Sequence, residues 1–124
     1  MLSRILVVDD EQELGAILKD LLDLEGYEVD VCANAASAHE KLDGGRYDVA
    51  MLDVFLHGEP AGLDLARHIF EEHPDTSVTL MTGYADQADI ESACLSGAYA
   101  CIAKPFNLDD VVRVVGMVLS SQPA

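Results

Sequence analysis

Short apolar runs alternate with helix-patterned segments along the whole chain, and this alternation restricts the fold more than any other feature. Arg4 to Val8 is a β-branched apolar run that reads as a buried strand. Leu14, Ile17, Leu18 and Leu21 then recur at helical spacing, and Gly26 closes that helix. Tyr27 to Ala33 alternates as a second strand, with Tyr27, Val29 and Val31 on one face. Asn34 is placed to cap a short alanine-rich helix ending before Gly44 and Gly45. Val49 to Leu52 is the third strand, followed by Asp53 and a Gly- and Pro-containing loop from His57 to Gly62. Leu63, Ala66, Ile69 and Phe70 mark a third helix, ended by Pro74. Val78 to Met81 is a fourth strand, Asp89 to Leu95 a fourth helix stopped by Gly97, and Tyr99 to Ala103 a fifth strand. Asn107 caps a last helix carrying Leu108, Val111, Val112, Val115 and Leu119. Gly116 inside that helix points to close packing or a soft helix end. Five β-α units with short connections imply a parallel sheet covered on both faces and doubly wound by right-handed crossovers. The length of 124 residues fits a single domain spanning 1–124, with no output domain expected on this chain.

A sheet of this kind places its site at the carboxyl ends of its strands. Asp9 and Asp10 follow the first strand, Asp53 ends the third, Thr82 ends the fourth, and Lys104, followed by Pro105, ends the fifth. Each has an ordinary reading alone. The aspartate pair would cap the first helix, Thr82 would be a turn residue before Gly83, and Lys104 would be solvated. Together they bring three carboxylates, a hydroxyl and an ammonium into one pocket. Adjacent carboxylates repel, and a hard divalent cation such as Mg2+ relieves them. Asp53 then has the chemistry of a nucleophile toward phosphorus, with Lys104 and the cation neutralising phosphoryl charge and Thr82 donating to a phosphoryl oxygen. Gly83 leaves room for a phosphate beside the backbone.

Charge narrows the partners. The chain has 23 acidic and 7 basic residues, a net charge of −16. Nucleic-acid binding and an anionic membrane surface are both disfavoured, since each needs clustered Lys and Arg. The cysteines Cys32, Cys94 and Cys101 show no metal-site spacing and read as reduced thiols of a cytoplasmic protein, with core packing expected for Cys32 and Cys94. The start MLSRILVVDD meets two acids too early for a signal peptide, and no apolar run is long enough for a membrane helix.

The segments ILVVDDE, MLD at Asp53, LMTGYAD around Thr82 and GAYACIAKPF around Lys104 together resemble the response regulator receiver domains of two-component signalling. The resemblance covers essentially the whole chain. It implies an α/β fold with a five-stranded parallel sheet, doubly wound (βα)5, in the flavodoxin-like order 2-1-3-4-5. It implies that Asp9, Asp10, Asp53 and the backbone carbonyl of Phe55 hold Mg2+, that Asp53 is the phosphoacceptor, and that Thr82 and Lys104 contact the phosphoryl group. The partners it implies are a histidine kinase or histidine phosphotransfer protein as donor, and a downstream protein on the surface of the fourth helix, fifth strand and fifth helix. The Lys104–Pro105 bond resembles one that is usually cis in the family. The domain itself would assist phosphate hydrolysis.

Departures from the family pattern carry their own expectations. The aromatic residue usual three positions before the lysine is Cys101 here, so either Tyr99 takes over the switch role or coupling runs through Thr82 and loop movement alone. His57 stands where proline is common; it reads as an exposed loop histidine, with a metal or phosphate-lifetime role as the sharper alternative. Phe55 and Tyr84, bulky residues flanking the pocket, suggest a long-lived phosphate. A non-phosphorylated receiver-like binding module is the competing function, and it predicts loss of a pocket residue. An aspartate-nucleophile phosphatase usually carries a second aspartate two residues on, where this chain has Phe55. A flavin site is disfavoured because Asp9, Asp10 and Glu11 would repel a cofactor phosphate.

Overall fold

The computed structural model describes residues 2–83 and 97–122. In chain order the elements are β1 (Arg4–Val8), α1 (Gln12–Leu24), β2 (Glu28–Cys32), α2 (Ala35–Gly44), β3 (Val49–Asp53), α3 (Ala61–Glu72), β4 (Ser77–Thr82), β5 (Ala100–Ala103) and α4 (Leu108–Ser120). The expected fourth helix from Asp89 to Leu95, with Cys94 and Tyr84, lies outside the described residues. The strands form one parallel sheet in the order β2-β1-β3-β4-β5. This is the doubly wound arrangement that the alternating pattern implies. Strand order reverses between β1 and β3, so the carboxyl ends of these two neighbours frame the crevice.

Side-chain alternation along each strand divides the interior into two cores. Ile5, Val7, Val49, Met51, Met81 and Ile102 face α1 and α4, meeting Leu18, Leu22, Val111, Val115 and Val118. Leu6, Val8, Ala50, Leu52, Val78 and Leu80 face the opposite way, onto Ala38, Leu42, Leu65, Ala66 and Ile69 of α2 and α3. Every residue of β3 is buried, as a central strand covered on both faces requires. Tyr27, Val29 and Val31 do share one face, and Cys32 is buried at the end of β2. The Asn34 side chain accepts a hydrogen bond from the Ser37 amide at 2.8 Å, capping α2 as its position suggests.

Some local expectations are corrected. Asn107 occupies the N-cap position of α4 but makes no side-chain capping bond. Ile17 is 48% exposed, and Leu22 takes the buried place on α1. A Cβ on Gly116 would have nothing within 4 Å, so close packing is not its reason. The Lys104–Pro105 bond is cis. Among the described residues, no helix is long and apolar enough to cross a membrane.

Candidate functional site

The chain leaves the sheet after Val8, and the next two residues turn their carboxylates into the crevice. Asp9 is 1% exposed. Its Oδ1 accepts from the Glu11 amide at 2.9 Å and its Oδ2 from Lys104 Nζ at 2.7 Å. Neither Asp9 nor Asp10 is the N-cap of α1, a position held by Glu11 without a side-chain bond. Asp10 Oδ2 accepts from the His57 amide at 2.9 Å. Asp53, the last residue of β3, is buried, with Oδ1 accepting from the Phe55 amide at 3.3 Å and Oδ2 from Lys104 Nζ at 3.0 Å. Carboxylate oxygens of Asp9, Asp10 and Asp53 lie within 4.8 Å of one another.

Lys104 reaches this cluster from the far side of the sheet. The register pairs Thr82 with Ala103, and the Lys104 amide donates to the Thr82 carbonyl at 2.7 Å, which delivers the lysine stem to the end of β4. Its ammonium also meets Glu11 Oε1 at 3.3 Å. Three carboxylates, of Asp9, Glu11 and Asp53, thus share one cation, with Asp10 beside them. Burial is the main reason the Asp53 pKa is raised to about 6; the neighbouring Asp9 charge acts in the same direction, against Lys104 and the Phe55 amide. Burial also acts to lower the pKa of Lys104, but its hydrogen bonds and charge contacts with Asp9 and Asp53 outweigh it and hold the ammonium above its ordinary value.

Two features show room for a further charged group. The Thr82 hydroxyl is buried and has no hydrogen-bond partner among the described residues. A cleft of about 800 Å³, lined in part by Asp10, Asp53, Phe55, Lys104, Phe106 and the next residue, Gly83, opens at this end of the sheet. The all-oxygen donor set suits a hard cation such as Mg2+, and the idle hydroxyl suits an anion beside it.

The response regulator receiver domain profile matches residues 5–116. The chain belongs to this family. Its receiver fold is similar to a CheY-like response regulator receiver protein from Methanospirillum hungatei, with a TM-score of 0.92 and 31% identity over 98% of this chain and 97% of that one. TrrA from Thermotoga maritima, solved in complex with Mg(2+)-BeF, is similar with a TM-score of 0.82 and 33% identity, covering 94% of this chain and 99% of that one. The nitrogen assimilation regulatory protein NtrX of Azorhizobium caulinodans is 32% identical over 122 residues, 98% of this chain and 27% of NtrX. The chain spans between 24% and 54% of the length of the first curated relatives that it matches. Receiver domains are signalling switches of two-component systems that work with kinases and downstream effectors, and they generally bind Mg2+ at an acidic pocket.

The receiver pocket gathers Asp9, Asp10, Asp53 and Lys104 directly, with Thr82 at the adjoining strand end. Phe55 lines the cleft and contributes its amide to Asp53. His57 is exposed with a positive φ of 54°, and its ring Nε2 is 3.0 Å from the Ala33 carbonyl. Its backbone, rather than its ring, meets the acidic cluster. Tyr99 is 47% exposed; its hydroxyl accepts from Ser121 Oγ at 2.6 Å, and its amide bonds Val78 near the opposite end of β4 from Thr82. Cys101 is half-buried against the α2/α3 core, opposite Leu80. Sequence reasoning missed Glu11 as a Lys104 partner, although it directly follows the aspartate pair. It also missed Gly62, where a Cβ would overlap the Asp53 carbonyl oxygen and stand 2.9 Å from Val54 Cα. The absence of a side chain there lets α3 begin directly behind Asp53.

Proposed function

We propose that this receiver takes a phosphoryl group onto Asp53 from the phosphohistidine of a histidine kinase or histidine phosphotransfer protein, and that the modified domain exchanges protein partners. The observation that carries the reading is the Lys104 ammonium held between Asp9 and Asp53, at a crevice where the buried Thr82 hydroxyl has no hydrogen-bond partner among the described residues.

An ionised Asp53 oxygen attacks phosphorus; the O–P bond forms as the P–N bond to the donor imidazole breaks, and the imidazole leaves with the bonding pair. Oδ1, engaged among the described residues only by the Phe55 amide at 3.3 Å, is the less encumbered oxygen. Lys104 is already poised at the carboxylate to follow the charge onto a phosphoryl oxygen, and Thr82 gains an acceptor for its hydroxyl. Asp9, Asp10, Asp53 and the Phe55 carbonyl would hold Mg2+, which supplies charge neutralisation when bound. The Mg(2+)-BeF complex of the similar TrrA supports a magnesium-bearing pocket. Hydrolysis assisted by the domain returns Asp53 to the carboxylate.

The new bonds available to Thr82 and Lys104 exist only with phosphate present, so they bias the domain between two states. Tyr99, tied to Ser121 just beyond α4, is the aromatic group through which a movement of β5 would reach that helix. The test is incubation with acetyl phosphate and Mg2+ followed by intact mass. One added phosphoryl group is expected, absent in Asp53→Asn. No mass gain in the parent chain rejects the reading and leaves the unphosphorylated binding module.

A further inference from the structure

Three of the four histidines gather far from the acidic crevice. Asp43 lies near the end of α2 and His73 is the C-cap of α3, each shortly before the start of the next strand. They therefore sit toward the amino-terminal edge of the sheet, whereas Asp9 and Asp53 sit at the carboxyl edge. The His68 and His73 rings are 5.5 Å apart, and His39 packs edge-on against His68 at 4.5 Å.

The donor atoms there are poorly satisfied. Nε2 of His68 and Nε2 of His73 are both buried and make no hydrogen bond among the described residues. Buried polar atoms without partners are uncommon in folded proteins and call for a reason. Asp43 Oδ1 is 3.8 Å from His73 Nε2, and one ligand atom from each of Asp43, His68 and His73 lies within 4.8 Å of the other two. We propose that Asp43, His68 and His73 form a binding site for a zinc-class divalent transition-metal ion that clamps α2 to α3.

The chemistry separates this site from the acidic crevice. Imidazole nitrogen suits Zn2+ and its neighbours, while an all-carboxylate pocket suits Mg2+. Two imidazoles and a carboxylate supply three ligands and leave a fourth tetrahedral position for water. Zinc bonds of roughly 2.0–2.2 Å require the donors to draw closer than they stand. Asp43, whose side chain is 72% exposed, is the arm with freedom to swing inward.

The test equilibrates the full chain with Zn2+ under a large excess of Mg2+, which occupies the hard-cation pocket. Bound zinc is counted by metal analysis, and the ring nitrogens are followed by histidine-selective 15N NMR. One zinc per chain is expected, with Nε2 shifts at His68 and His73 and none at His57. His68→Gln and His73→Gln should each weaken binding at least tenfold, and Asp43→Asn several-fold. Zinc uptake unchanged in the His68→Gln/His73→Gln double variant would mean adsorption to the acidic surface and overturn the site. If a variant fails to fold, the parent spectrum decides alone: His68 and His73 resonances that stay in place at saturating zinc reject the proposal.

Discussion

The two ends of the sheet treat charge in opposite ways. At the amino-terminal end Arg4 is fully engaged. Its amide donates to Asp48 at 2.8 Å, its guanidinium donates to the Arg46 carbonyl and to Asp30, and it stacks 4.6 Å from the centre of the Tyr47 ring. The Tyr47 hydroxyl donates to Asp30 at 2.6 Å; burial first, and then Asp30, holds that phenol above its ordinary pKa. Thr76 closes onto the Tyr47 carbonyl, and Gln122 ties Asp48 to Ser77. At the carboxyl end one lysine serves several acids, and the buried Thr82 hydroxyl has no partner among the described residues. Around Arg4 and Tyr47 the polar groups of the first end close the fold, apart from the histidine cluster of α3. The second keeps unbalanced charge in the crevice, at the expense of stability.

That contrast is open to direct attack. The largest effect is expected for Lys104→Met in metal-free protein. Removing the cation leaves buried carboxylates facing each other, which costs about 3–5 kcal/mol. Urea unfolding at pH 8 measures the loss, and added Mg2+ should recover part of it; a cost no greater than at the Arg4 end would break the comparison. Gly62→Ala should cost about 3 kcal/mol, because the new methyl collides with the Asp53 backbone rather than with a yielding side chain. It should also slow phosphoryl uptake, which intact mass over time would reveal.

Asp53→Asn should act in the other direction. The carboxyl is penalised when ionised, so the parent fold loses stability as pH rises from the ordinary carboxylate value of 3.8 to about 6. In chelator at pH 8 the variant should therefore be more stable by about 2–3 kcal/mol. The gain should vanish below pH 3.8, where folded and unfolded carboxyls are both protonated. A pH-independent difference would remove the electrostatic account. Tyr47→Phe, in the hydrogen-bonded network around Arg4, should show the smallest effect, about 1 kcal/mol for one hydrogen bond to Asp30. Denaturation of this variant with and without Mg2+ should give the same difference, because that end takes no part in the acidic pocket.

Most of the element pattern was legible because strands and helices write their periods into neighbouring residues. Ile5 to Val8 and Val49 to Leu52 could hardly be anything but buried parallel strands, and Asn34 carried its capping role in its own short side chain. Local spacing misjudged finer choices. Ile17 and Leu22 fit the same helix, and only the packing of α1 on the sheet selected Leu22. Asn107 stood where a cap belongs, yet its side chain makes no capping bond.

The sequence by itself determined the strand-and-helix alternation and set acids, a hydroxyl and a lysine at the strand ends, because those are short-range facts of composition and period. The tertiary structure alone decided that Lys104 grips Asp9 across 95 positions, that the Thr82 hydroxyl has no partner among the described residues, that Gly62 must lack a side chain, and that His68 and His73 meet beside Asp43. Each of these depends on how helices seat against strands distant in the chain, and no local pattern encodes such distances.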